Sequence, residues 1–258
     1  MVLSGQSDAI TFPPSDLWSN EPPLESDRHL RQILLLLSSL EWWWRDRPDA
    51  LEQRRNNFFA AGNLSIYYST RQRKSEDFRG PDFFVVLDTE YKERKSWMVW
   101  EEDGKYPNLI LEILSDTTAQ IDRGLKKQIY QDIFRTPQYF WFDPYSLEFV
   151  GFRLLKDARY YEEITLNEQR WYWSQQLELY LGIVEERLRF FTPEGELVPA
   201  PKEAAIQEQQ RAQAERQRAE QAESLAQTER QRAEQAEQKA EILRRRLQEL
   251  GIDPNELQ

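Results

Sequence analysis

Pro81-Asp82-Phe83-Phe84-Val85-Val86, then Pro107-Asn108-Leu109-Ile110-Leu111-Glu112-Ile113-Leu114-Ser115, then Asp122-Arg123-Gly124-Leu125-Lys126-Lys127-Gln128-Ile129-Tyr130: these three pieces decide how the chain folds. The first two are short apolar runs rich in Val, Ile and Phe, each opened by a Pro, and they read as strands. The run around Glu112 is apolar at consecutive positions, as in a strand covered on both faces. A carboxylate there is costly unless a cation or hydrogen-bond donors satisfy it. Asp82, at the start of its own strand, is placed to lie beside Glu112 across a sheet. Two carboxylates at strand ends, with a Lys on the next helix, make a candidate divalent-metal site for cutting a phosphodiester.

Outward from this centre, Ser115 to Thr118 reads as a turn, 122–134 as a helix and Gln138 to Asp143 as the next strand. Strand, helix, strand at that spacing is a crossover unit, which sets 109–114 and 138–143 parallel in one sheet. Upstream, Ser26 can cap a helix from Asp27 to about Trp44, with Leu30, Ile33, Leu34, Leu37, Leu40 and Trp44 at helical spacing. The run Trp42-Trp43-Trp44 reads as helix-end packing rather than as a platform for bases. Asn63 to Thr70 alternates as a strand. Tyr91 to Ser96 reads as a charged hairpin turn, with Trp97 to Glu101 as the strand returning beside 82–88. From Leu147 to Phe191 the chain reads as β-hairpins, with Glu178 and Glu185 as rim charges.

The remainder is linker and helix. Residues 1–25 hold four of the thirteen prolines and read as an irregular segment before a domain over 26–192. Residues 193–202, with three prolines and a Gly, read as a linker. Beyond it ERQRAEQAE occurs at 215–223 and again at 229–237, a period of fourteen or two heptads. One seam position holds Ala212, Ala219, Ala226, Ala233, Ala240 and Leu247. The other holds Glu215, Ala222, Glu229, Ala236, Leu243 and Leu250. Residues 203–250 are therefore a long solvated helix or a coiled coil. Gly251 closes it, and 251–258 form a tail.

Composition narrows the chemistry. There is no Cys and a single His among 258 residues, so Cys-based and His-rich metal sites are excluded, and a reducing cytoplasm is the expected compartment. His29 reads as an ordinary residue near a helix start. The longest apolar run, Ile33 to Leu37, is too short to span a bilayer, and the N-terminus carries no signal-peptide pattern. A net charge of -11 opposes strong non-specific DNA binding. Basic clusters nevertheless flank the centre: Arg71, Arg73, Lys74 and Arg79; Lys92, Arg94 and Lys95; Arg123, Lys126 and Lys127. Each is a candidate for phosphate contact or a solvated turn.

The ordered set of Pro81-Asp82, a spacer, Glu112 with Leu114-Ser115, Asp122-x-Gly124-x-Lys126 with Tyr130, and Tyr139-Phe140-Trp141-Phe142-Asp143-Pro144 resembles the Uma-type restriction-endonuclease family of the PD-(D/E)xK nuclease superfamily. The match spans roughly Arg28 to Phe191. The resemblance implies an α+β fold: a restriction-endonuclease-like mixed sheet with flanking helices and a β-hairpin extension, followed here by the long C-terminal helix. It also implies a site in which Asp82, Glu112 and the Ile113 backbone carbonyl hold Mg²⁺ or Mn²⁺ and Lys126 serves catalysis. Leu114 stands where the superfamily carries its Lys, and the family places one on the following helix, which matches Lys126.

A metal-dependent endonuclease acting on DNA is the leading expectation, with DNA a transient partner, no membrane contact and self-association through the core or the C-terminal helix. The alternative is a catalytically degenerate nuclease fold that assembles through its sheet edge or that helix. A third reading binds DNA without cleaving it. In the absence of a metal, Asp82 would be a turn carboxylate and Glu112 one half of a buried salt bridge to Lys126. Helical projection puts Leu125, Ile129 and Ile133 on the apolar stripe with Lys126 inside it. Lys127 then falls at the solvent edge beside Gln131 and Phe134.

Overall fold

A computed structural model describes residues 17–21, 24, 26–48, 54–68, 78–155 and 157–249. Most of the irregular segment over 1–25 lies outside the described residues, as do the end of the 63–70 strand, the cluster at Arg71, Arg73 and Lys74, and the expected helix stop and tail at 250–258. The protein is α+β. It divides into two compact units, Met1–Pro201 and Lys202–Gln258.

The first unit is built on a six-stranded mixed sheet in the order β1-β4-β6-β7-β8-β9. These strands are β1 (Phe58–Ala61), β4 (Phe83–Leu87), β6 (Leu109–Ile113), β7 (Gln138–Phe142), β8 (Phe149–Arg153) and β9 (Glu162–Glu163). β6 and β7 are parallel, as the crossover spacing requires, and every other neighbouring pair in this sheet is antiparallel. All five residues of β6 and of β7 are buried, because both faces of the sheet are covered.

Alternation along each strand sends side chains to opposite faces. Phe83, Val85, Leu109, Leu111 and Ile113 face the first helix, Asp27–Glu41, and a three-stranded antiparallel sheet. That sheet comprises β10 (Tyr172–Ser174), β11 (Leu179–Val184) and β12 (Arg187–Phe191). Phe84, Val86, Ile110, Leu114 and Tyr139 face a second helical stretch over 119–134 and a small sheet of β2 (Ile66–Tyr67), β3 (Phe78–Arg79) and β5 (Trp97–Met98).

Several expectations are corrected here. Trp97 and Met98 pair in parallel with β2 rather than returning beside β4, and Val99–Glu101 is a 3-10 turn. β1 is a strand that the sequence reading passed over. On the first helix Leu30 and Leu34 are 40% and 54% exposed, while His29, Gln32, Ile33, Leu36 and Leu40 are buried. The run at 33–37 is apolar all round, so its periodicity does not name the inner face. Two polar residues name it instead. Gln32 Nε2 donates to Leu188 O at 2.9 Å, and its Oε1 accepts from Leu188 N at 3.1 Å.

The stretch expected as a linker turns back on β12. Val198 is fully buried, its N–H donates to Phe190 O at 2.9 Å, and Arg189 donates to its carbonyl. Truncation should respect that closure. A chain ending at residue 200 is expected to melt cooperatively near the full-length temperature. One ending at residue 192 loses the Val198 side chain, and Val198→Ala alone should cost about 2 kcal/mol. Thermal melts of the three variants check the order.

The second unit is dominated by one helix, Pro201–Glu249, whose described side chains are nearly all exposed. Ala, Glu, Gln and Arg are strong helix formers and supply pairs at helical spacing, which holds such a helix without a packed face.

Candidate metal and phosphodiester site

The pairing of β4 with β6 runs Phe83 to Leu111 and Phe84 to Ile110, so one more residue of register sets Asp82 opposite Glu112. Two bonds lock them. Asp82 N–H donates to Glu112 Oε2 at 3.2 Å, and Ile113 N–H donates to Asp82 Oδ2 at 2.8 Å. Asp82 sits at the strand start, where it reaches the other layer too: its Oδ1 is 2.9 Å from His29 Nε2 on the first helix.

Glu112 is fully buried. Its Oε1 accepts from the Tyr130 hydroxyl at 2.7 Å, and its Oε2 lies 3.1 Å from Lys126 Nζ. Lys126 Nζ is also 2.9 Å from Asp122 Oδ1, one helical turn earlier. Leu114 packs in the apolar layer on the Glu112 side of the sheet, so the ammonium arrives from the helix and not from the strand. Lys127 turns away, with its Nζ 3.5 Å from the centre of the Phe152 ring, a cation–π contact.

The helix face differs from its projection. Leu125 and Ile133 are 54% and 49% exposed, whereas Asp122, Ile129, Tyr130 and Phe134 are buried. Phe134 therefore belongs to the core and not to the solvent edge. The cause is local winding. Residues Asp122–Lys126 and Tyr130–Phe134 form π-type turns, whose wider bonding pattern rotates the inward face away from a regular 100° count.

The family model described as Uma2, Putative restriction endonuclease, matches residues 16–189, more than half of the chain. The chain belongs to the Uma2 family. Among solved structures it is similar to a putative nuclease belonging to DUF820 from Anabaena variabilis, at 13% identity and a TM-score of 0.37, covering 55% of this chain and 69% of that one. No curated protein matches the chain.

In this Uma2 chain the electrostatics are those of buried acids gathered on one cation. Burial pushes the Glu112 carboxyl well above its ordinary range; Lys126 and the Tyr130 hydroxyl oppose this, while Asp122 and Asp82 add to it. Burial likewise raises Asp122 against the pull of Lys126. For Lys126 burial acts downward, but Glu112, then Asp122 and Asp82, more than offset it, so the ammonium is held above its ordinary value. Lys127 lacks such partners, and burial lowers it.

The donor set suits a small hard cation in kind. Asp82, Glu112 and Asp122 offer oxygen ligands of the sort Mg²⁺ takes, with Asp122 Oδ1 already 2.9 Å from the Lys126 ammonium. Among the described residues no three His, Asp or Glu side chains are drawn together as an ion clasp, and the Lys126 ammonium occupies the middle.

Sequence reasoning missed His29, Asp122 and Tyr130 as members of this group. Asp122 and Tyr130 were legible: they stand four before and four after Lys126, in the quoted motif itself. His29 was not, because only folding brings it to Asp82. The clusters flanking the centre divide differently. Arg94 bonds Glu102 at 2.6 and 3.0 Å with its side chain 4% exposed, which makes it an internal strut rather than a phosphate contact.

A pH consequence follows for the metal-free chain. Glu112 keeps its proton to higher pH when folded than when unfolded, where its value is near 4.5. Between those two values unfolding releases a proton, so stability falls as pH rises. Glu112→Gln removes that share. Its melting temperature in EDTA should therefore fall less than the wild type's as pH rises above about 4.5. Parallel curves for the two proteins would contradict the assignment.

Proposed function

We propose that this chain is a divalent-metal-dependent endonuclease that hydrolyses phosphodiester bonds of DNA at Asp82, Glu112 and Lys126. The observation that carries the reading is Glu112: a fully buried carboxylate at the end of β6, facing both Asp82 and the Lys126 ammonium. The family to which the chain belongs supports it.

Asp82 and Glu112 would hold Mg²⁺ or Mn²⁺, with the Ile113 backbone carbonyl as a further ligand. When bound, the ion supplies Lewis acidity at the phosphate and lowers the pKa of the attacking water. The chain's own residues supply the rest. Tyr130 and the Asp82 N–H fix the Glu112 carboxylate, while His29 and the Ile113 N–H fix that of Asp82. Lys126 donates toward the phosphate oxygen on which charge accumulates, in a site walled by apolar side chains where such a donor acts strongly. The net charge of -11 makes the encounter with DNA local and brief rather than a tight non-specific grip.

A nicking assay on supercoiled and linear DNA tests this, with Mg²⁺ or Mn²⁺ against EDTA. Metal-dependent nicking that EDTA stops is expected. Intact plasmid under all conditions, with a folded protein, would overturn the reading.

A further inference from the structure

β7 ends beside the centre and leads into an exposed aromatic. Phe142 pairs with Ile113, and Leu114 N–H donates to Phe142 O at 2.8 Å, so the turn that follows stands next to the strand carrying Glu112. Asp143 fixes that turn: its Oδ1 accepts from Tyr145 N–H at 2.8 Å and from Ser146 N–H at 3.1 Å. Tyr145 is 63% exposed all the same. Its hydroxyl lies 3.4 Å from Ser26 Oγ, which accepts from His29 N–H at 3.2 Å, and His29 Nε2 reaches Asp82. The ring is thus tied to the rim of the centre from both the sheet and the first helix.

Beside it opens a cleft of about 210 Å³, lined by Arg28, Arg31, Pro144, Glu185, Glu186 and Arg187. Pockets for drug-sized ligands run to roughly 300–1,000 Å³, so this one has room for a single flat ring system. Arg28 joins cleft and ring. Its guanidinium carbon stands 5.3 Å from the Tyr145 ring centre, and its Nη2 is 2.7 Å from Glu186 Oε2. A donor and an acceptor side by side match a base edge, which sets the same two groups next to each other. The turn that supplies Glu185 and Glu186 is left-handed at both residues, with φ of 49° and 58°, where Asn-Gly is the easier choice.

A lone exposed aromatic is ordinary on a protein surface. One that is fixed in a turn, tied to the rim of a buried acidic centre and set beside a polar cleft offers a stacking face and an edge reader together. Charge points the same way. At -11 the chain gains little from phosphates, and base stacking is the nucleic-acid contact that needs no charge.

We propose that Tyr145 and this cleft take an unstacked base of the DNA strand held at the centre, which makes the substrate class single-stranded or frayed DNA rather than intact duplex. The inference rests on the proposed function and names the form of DNA that it acts on.

The test follows the anisotropy of a fluorescein-labelled DNA single strand, and of the same strand in a duplex, on the full chain in EDTA. Wild type should hold the single strand more tightly than the duplex. Tyr145→Ala should bind the single strand about tenfold more weakly, with its duplex affinity and melting temperature unchanged. Tyr145→Phe keeps the ring and should bind as wild type does. The slope of log affinity against log salt should stay the same in Tyr145→Ala, which removes no charge, and become shallower in Arg28→Gln. Unchanged single-strand affinity in Tyr145→Ala, or an equal loss on both forms of DNA, overturns the inference and leaves the proposed function standing. An equal loss in Tyr145→Phe assigns the effect to the hydroxyl contact with Ser26 and overturns it too. A wild-type chain that binds no single strand overturns it whether or not plasmid is nicked, and one that also leaves plasmid intact in Mg²⁺ and Mn²⁺ overturns both.

Discussion

Glu112→Gln should lower metal-dependent nicking of supercoiled DNA by at least about a hundredfold while the chain stays folded. Glutamine keeps the shape of the side chain and can still accept from the Tyr130 hydroxyl, which bonds Oε1 at 2.7 Å. What it loses is the charge that holds a dication. The fold survives because Lys126 keeps Asp122 at 2.9 Å. Stripping a buried ion of its only partner costs about 3–5 kcal/mol, and here one partner remains. Asp82→Asn should lose activity similarly, since its oxygen can still accept from Ile113 N–H. Nicking rates measured beside melting curves separate lost chemistry from lost structure. Equal nicking by wild type and both variants would assign the activity to a contaminant.

Lys126→Met should also remove cleavage, by about a hundredfold or more, but with the opposite effect on the metal. The ammonium stands between Glu112 and Asp122, and a positive charge there repels an incoming dication. Methionine fills the same space without the charge, so Mn²⁺ should bind more tightly to the variant than to wild type. Lys127→Ala should leave cleavage close to wild type and at most weaken DNA binding, since that ammonium rests over Phe152. Titration calorimetry and single-turnover cleavage on the two variants read both effects. Cleavage lost in Lys127→Ala and kept in Lys126→Met would invert the assignment.

The pairing at the centre was legible because strand parity is rigid. Once 83–87 and 109–113 are strands of one sheet, Asp82 and Glu112 fall opposite each other at their ends, and the crossover spacing makes β6 and β7 parallel. Lys126 was legible through the family pattern and through helical spacing. The stripe around it was not, because projection assumes a regular helix. Two π-type turns carry Leu125 and Ile133 outward and Phe134 inward. The first helix failed differently. Leu residues on every side leave the face to be set by partners distant in sequence, Asp82 for His29 and Leu188 for Gln32.

The most direct measurement is the position of the ion. Crystals of the wild-type chain soaked in Mn²⁺ and measured at its absorption edge should show an anomalous peak about 2.1 Å from an oxygen of Asp82 and from one of Glu112. Lys126 Nζ should be displaced from its 3.1 Å contact with Glu112 Oε2. A chain that nicks DNA in Mn²⁺ yet shows no peak there, with the Lys126–Glu112 contact unchanged, would contradict a metal centre at these residues.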